Sequence, residues 1–277
     1  MRASLRAFLR KLLALMNLGL KVFGFKLISV NGSLRTFDEF CRFLRSLGFD
    51  PALIIDVGAC KGTPQLYNAF PSSRFILVEP QAEFEPVLRR LTKTLDAEYY
   101  FCAVAENEGE VEFHVHTDNM SGSSMLKEVG GEIFDGSLRK VKTMPLDRIL
   151  PDKIPGLAVL KIDVQGTELS VLKGAENHLP DIDLIIVETS LISNMKGGAE
   201  IRDITSYLHD RGFVIFDVIN ATFRPLDGCL QEVDLVFVRE DSSLRSDRRF
   251  ATEEQRLVLN RRMAKDLKQE TYVRLGS

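Results

Sequence analysis

Ala52-Leu53-Ile54-Ile55-Asp56-Val57-Gly58-Ala59-Cys60-Lys61-Gly62 is the stretch whose reading decides the fold. Residues 52–57 form a short apolar run with one carboxylate near its end, the pattern of a strand covered on both faces of a parallel sheet. Glycines follow at once. They let the chain turn sharply into a helix, with no Cβ in the way of a ligand. A second run of this type, Arg74-Phe75-Ile76-Leu77-Val78-Glu79, is ended by Pro80. Residues 64–70 supply one helix between the two strands.

Working outward, residues 37–47 read as a helix with Phe37, Phe40, Cys41, Leu44 and Leu47 on one face, stopped by Gly48. Residues 81–95 are the next helix. Residues 99–104 are a third strand, and 111–116 a fourth that pairs locally. Strand 157–163 leads into a helix through 168–175, and strand 182–188 into a helix through 201–211. Two last strands, 213–218 and 233–238, flank a turn-rich stretch with Pro225, Asp227 and Gly228, which makes them an antiparallel hairpin. Strands alternating with helices imply β-α-β units in an α/β, doubly wound, mostly parallel sheet. The Gly- and Ser-rich residues 118–141 read as an insertion near the site. Three parts result: a helical arm over 1–48, an α/β domain over 49–240, and a charged tail over 241–277, helical from 252 to 269.

At 277 residues the chain has room for one such domain with appendages. Charge is unevenly spread. Residues 1–37 hold seven Lys or Arg and no acid, residues 38–238 hold 19 basic and 32 acidic side chains, and residues 239–277 hold ten and seven. An acidic body argues against nucleic-acid binding, which wants a positive surface. The four cysteines, Cys41, Cys60, Cys102 and Cys229, show no CxxC spacing, which points to no zinc site and to a reducing, cytoplasmic setting. The basic start followed by apolar residues 12–20 is too short to span a bilayer and lacks a clear cleavage site. It reads as an amphipathic helix packed on the domain, with peripheral contact to an anionic membrane as the second reading.

In an open parallel sheet, ligands collect at the carboxyl ends of the strands where the strand order reverses. The loop after the first strand and the acidic Glu79, 21 residues after Gly58, fit that place. A carboxylate there accepts hydrogen bonds from two vicinal ribose hydroxyls. A dinucleotide fingerprint is G-x-G-x-x-G. Here the middle glycine is missing and Asp56 would sit near a pyrophosphate, whereas a carboxylate suits the ammonium of a methionine moiety. S-adenosylmethionine is the expected cofactor.

Four stretches resemble the FkbM family of S-adenosylmethionine-dependent methyltransferases: Ile55 to Gly62; Val78-Glu79-Pro80; Leu160-Lys161-Ile162-Asp163-Val164-Gln165-Gly166-Thr167-Glu168-Leu169 running into Leu172-Lys173-Gly174-Ala175; and Ile186-Val187-Glu188. They span about residues 50–240. The third is the most specific, since the family commonly carries K-I-D-V-E-G-x-E, and this chain has Gln165 in place of the second acid. Cys60 stands where Asn is common. The resemblance implies a seven-stranded, Rossmann-like class I methyltransferase sheet with a C-terminal antiparallel hairpin. It implies that Asp56, Gly58, Ala59 and Gly62 line the methionine end of the cofactor, that Glu79 holds the ribose, and that Ala103 and Val104 border the adenine. Ser123 and Ser124 match a serine-rich stretch near the family's site.

Methyl transfer is an in-line displacement in which the protein mainly positions two reactants. A neutral hydroxyl also needs its proton removed. Asp163, ending the fourth parallel strand, is the first candidate for base or orienting group, and Glu188 the second. Glu168 reads as negative charge at a helix N-terminus. His114 and His116 read as a solvent-facing pair, and no metal is expected. The leading expectation is O-methylation of a hydroxyl on a small molecule or glycan. The alternatives are an NAD-dependent oxidoreductase, and a non-catalytic, membrane-associated module with the methyltransferase fold. The oligomeric state is open.

Overall fold

The computed structural model describes residues 34–116, 120–131 and 136–274, together with Met16. The expected N-terminal amphipathic helix therefore lies outside the described residues apart from Met16.

Helix α1 (Phe37–Ser46) starts on a capping box, in which Thr36 and Glu39 satisfy each other's backbone N–H groups. It buries Phe40, Cys41 and Leu44 and stops at Gly48, whose φ of +77° suits a residue without a side chain. Strand β1 (Leu53–Val57) leads through the glycine loop to α2 (Pro64–Ala69) and β2 (Arg74–Val78). A 3₁₀ turn (Ala82–Phe84) and α3 (Glu85–Leu91) follow, then β3 (Ala97–Tyr100), β4 (Ala103–Val104), β5 (Gly109–Val115) and β6 (Ser137–Met144). The second half holds β7 (Ala158–Ile162), α4 (Glu168–Lys173), β8 (Leu184–Ser190), α5 (Ile201–His209), β9 (Phe213–Phe223), β10 (Leu230–Arg239) and α6 (Glu253–Arg274).

Seven strands form one sheet in the order β3-β2-β1-β7-β8-β10-β9. All neighbours are parallel except β10, which is antiparallel to both β8 and β9. This is the doubly wound α/β sheet with its closing hairpin. The order reverses between β1 and β7, so the carboxyl ends of these two strands open the crevice where ligands bind.

Alternation along each strand divides the core in two. Leu53, Ile55 and Val57 of β1 join Leu160, Ile162, Ile185 and Val187 under α4 and α5. Ile54, Val159, Leu184, Ile186 and Val236 face α1 and α2, packing on Phe40, Leu44, Leu66 and Phe70. The parity matters for function. Asp56, Lys161, Glu188 and Asp234 share this second face, because each lies two residues from one of those apolar positions.

The run expected as one strand over 99–104 is two. β3 pairs with β2 in the main sheet, while β4 pairs with β6 in a separate sheet of order β4-β6-β5. Strand β6 falls within and beyond the stretch read as an insertion. Its Ser-Leu-Arg-Lys-Val-Lys-Thr-Met sequence is mostly exposed, so it carries no apolar alternation to betray it. Among the described residues no helix is long and apolar enough to cross a membrane.

Candidate active site

Two clefts open at the carboxyl ends of β1 and β7. The first, about 640 Å³, is lined by Gly58, Cys60, Glu79, Ala103, Val104 and Phe113, and closed by Ser121, Ser123, Ser124 and Met125. The second, about 1050 Å³ and open to solvent, is lined by Thr63, Lys161, Glu188, Asn220, Glu232 and Asp234. Asp163 lines both.

The glycine loop is built by backbone constraints. The N–H groups of Gly58 and Ala59 both donate to the Val78 carbonyl, at 2.9 and 3.1 Å. Gly58 has a φ of +77°, and a Cβ there would lie 1.9 Å from the Asp163 carbonyl oxygen. Its need for glycine thus comes from the neighbouring strand. Cys60 adopts φ +48°, and its N–H donates to Glu79 Oε2 at 3.0 Å. Glu79 Oε1 accepts the Gln81 N–H at 2.9 Å. The Glu79 side chain is therefore held from both sides at the cleft wall. Burial pushes its carboxyl up to about 7, against the pull of the Gln81 and Cys60 amides.

The serine stretch closes the far wall. Gln81 Nε2 donates to the Met120 carbonyl at 3.0 Å, Ser123 Oγ donates to Gln81 Oε1 at 3.1 Å, and Ser124 Oγ donates to the Gln165 carbonyl at 2.6 Å. Both serines are buried, so they belong to the site's wall rather than to a free loop.

Asp56 lies apart from the lining of the first cleft. It has no exposure, and its carboxylate accepts from Thr63 Oγ1 at 2.8 Å, Tyr67 OH at 2.5 Å and Lys161 Nζ at 3.0 Å. Placed by parity on the α1/α2 face, opposite Lys161 in register, it does not reach the first cleft. Ala59 is likewise buried in the apolar core, 2 % exposed. Gly62 lines the second cleft, where a Cβ would meet Leu91 and Tyr67 at 2.9 and 3.0 Å. Of the residues expected around the cofactor, Gly58, Glu79, Ala103 and Val104 line the first cleft.

Lys161 was not anticipated as a separate part. Its ammonium also reaches Asp163 Oδ2, at 3.2 Å. Burial alone would discharge it; Asp163 and Asp56 outweigh that and hold it protonated. Glu188 lies farther along the same face, with Gln165 Nε2 donating to its Oε2 at 3.1 Å and Asp234 directly opposite in register. Burial, then Asp163, Glu232, Asp234 and Glu168, push its carboxyl well above the usual range. Asp234, whose Oδ2 accepts from Asn220 Nδ2 at 2.6 Å, is raised to about 6, chiefly by burial.

Glu168 opens α4, 5 % exposed, and accepts the Gly166 N–H at 2.8 Å. Burial pushes its carboxyl up to about 8. A folded-state value above the unfolded one means that the native protein binds the extra proton. The associated stability is present below about 4.5 and lost as pH rises through 8. Urea unfolding should therefore show stability falling between pH 5 and 8, and Glu168→Gln should flatten that fall by up to about 1.4 kcal/mol per pH unit. An unchanged slope in the variant would remove Glu168 from this role.

His114 is buried, 3 % exposed, because the Ser124 backbone pairs with it at 2.7 and 3.1 Å, so the expected solvent-facing histidine pair does not form. Among the described residues no group of three or more His, Cys, Asp or Glu is placed to hold a metal ion.

The family described as the methyltransferase FkbM domain matches residues 56–215. Methyltransferase sdnD of Sordaria araneosa is 28% identical over 213 residues, covering 65% of this chain and 80% of that protein. Hexuronic acid methyltransferase AglP of Haloferax volcanii is 36% identical over 92 residues, 29% of this chain and 37% of that protein. Among solved structures, magnesium protoporphyrin IX methyltransferase from Synechocystis covers 73% of this chain and 77% of its own at 13% identity, with a TM-score of 0.42. With the FkbM match running from the end of β1 into β9, the chain belongs to the FkbM methyltransferase family.

Proposed function

We propose that the protein transfers a methyl group from S-adenosylmethionine to a hydroxyl of a small molecule or glycan. The observation that carries this reading is the junction at Asp163, where a largely apolar cleft holding a ribose-type carboxylate meets a polar groove.

The residues present fit the cofactor. Glu79 lines the first cleft with each oxygen already fixed by one N–H, leaving a further lone pair on each for a ribose hydroxyl. Ala103, Val104 and Phe113 offer an apolar surface for a purine. Gly58 keeps the loop clear beside Asp163. When bound, S-adenosylmethionine supplies a sulfonium methyl group as the electrophile.

The chain's own residues prepare the acceptor. Asp163, charge-paired with Lys161, orients the hydroxyl at the junction. Glu188 takes the hydroxyl proton. Its ionised fraction grows as pH rises, since burial and the surrounding carboxyls hold it above the ordinary range. Thr63, Asn220 and Thr222 supply further polar contacts along the groove.

Titration calorimetry with S-adenosylhomocysteine tests the reading. The wild-type protein should bind, and Glu79→Ala should weaken binding about a hundredfold or more, as expected for two hydrogen bonds to a charged group. Because the carboxylate form accepts from the ribose, affinity should fall as pH is lowered through about 7. Absence of binding by the wild type defeats the proposal; unchanged affinity in Glu79→Ala defeats the role of Glu79.

A further inference from the structure

Gln165 lies in the turn between β7 and α4, at the position where the resemblance leads one to expect a carboxylate. It lines the first cleft, while the carboxylate that it contacts, Glu188, lines the second. The turn that carries it is clamped on both sides. Ser124 Oγ donates to the Gln165 carbonyl at 2.6 Å, and the next N–H, of Gly166, donates to Glu168 at 2.8 Å. Gly166 itself has φ +83°, and a Cβ there would meet Met195 at 2.9 Å. The amide is thus presented from a backbone with little freedom to turn away.

We infer that Gln165 is a positioning residue, whose side-chain amide holds the Glu188 carboxylate at the wall between the two clefts. The inference rests on the proposed role of Glu188 as the base.

The chemistry of the surroundings says why an amide stands here. Glu188 is faced by Asp163 from the end of β7, Glu168 from α4, and Glu232 and Asp234 from β10. The nearby cation, Lys161, is engaged by Asp56 and Asp163. Asp234 is already served by Asn220. In such a field an ionised Glu188 needs a donor. A carboxylate at 165 has no proton to offer when charged and would add one more negative charge beside Glu188. An amide donates and adds no charge. Gln165 therefore opposes the neighbours that keep Glu188 protonated, and makes its base form reachable at lower pH.

Carbon-13 NMR titration of glutamate carboxyls checks this without an acceptor in hand. Glu188→Gln assigns the Glu188 resonance. Gln165→Met, which keeps the length but removes the donor, should raise the Glu188 midpoint by about one pH unit, the equivalent of a lost hydrogen bond to a charged group. Gln165→Glu should raise it further and spread it over two steps, since the two carboxyls then titrate as a pair. Glu176, held by Arg211 on the outside of the fold, is the internal control and should not move. A Glu188 midpoint unchanged in Gln165→Met overturns the inference, as does an unchanged midpoint in Gln165→Glu if the Met variant fails to fold. Wild-type calorimetry with S-adenosylhomocysteine is read separately: its failure would strike the proposed function, and leave the Gln165–Glu188 coupling measurable by itself.

Discussion

Lys161→Met should lower the free energy of unfolding by about 3–5 kcal/mol, the range seen when one member of a buried ion pair is removed. The physical case is the isolation of Asp56. Its side chain has no exposure, and Lys161 is the one cation that the structure places within ion-pair distance of it among the described residues. Thr63 and Tyr67 would still donate to the carboxylate, but two neutral donors do not balance a charge inside the fold. The methionine fills the space of the lysine stem, so lost packing contributes little. Chemical denaturation measures the change directly. Adding Asp56→Asn to Lys161→Met should recover part of the loss, because the stranded charge goes with it. A single variant within about 1 kcal/mol of wild type would show that the buried pair contributes little to stability.

Gly58→Ala is the second large effect. The new Cβ would meet the Asp163 carbonyl oxygen at 1.9 Å and its carbon at 2.8 Å. Those atoms are backbone at the end of β7, held by the Asp163 N–H to the Val57 carbonyl at 3.0 Å, so no side-chain rotation relieves the clash. The left-handed conformation adds about 1–2 kcal/mol for a residue with a Cβ, and overpacking about 1–3 kcal/mol more. Displacing Asp163 also moves the junction of the two clefts, and a shift near 1 Å is enough for about a hundredfold loss in a positioned reaction. The expected outcome is a lowered unfolding midpoint together with weaker binding of S-adenosylhomocysteine. Gly48→Ala is the matched control: it has the same φ of +77° with nothing within 4 Å of the new Cβ, so it should show the conformational part alone. If the two variants behave alike, the contact with Asp163 carries no weight.

Much of the framework is legible in local sequence. The apolar runs at β1, β2, β7 and β8 have to be covered on both faces, and the helical stretches between them leave a parallel sheet as the way to do it. Pro225, Asp227 and Gly228 mark the final hairpin for the same kind of local reason. The wall of the first cleft was legible too, because Gly58, Glu79, Ala103 and Val104 sit at strand ends. Strand β6 was not, since an exposed strand needs no apolar pattern.

The glycine loop, the acid after β2 and the strand that ends in Asp163 were enough, as sequence, to determine a doubly wound sheet and a methyltransferase family. They could not say which way Asp56 points. That follows from Ile54, two residues earlier, facing α1 and α2, and from β7, a hundred residues away, lying beside β1 with Lys161 in register. Only the tertiary structure supplies such a neighbour. It made Asp56 a buried counter-charge to Lys161, gave Gly58 its reason in the Asp163 carbonyl, and brought Gln165 onto Glu188. Local pattern records which residues must be buried, whereas the partner of a buried charge is set by strand order, which no short stretch of chain encodes.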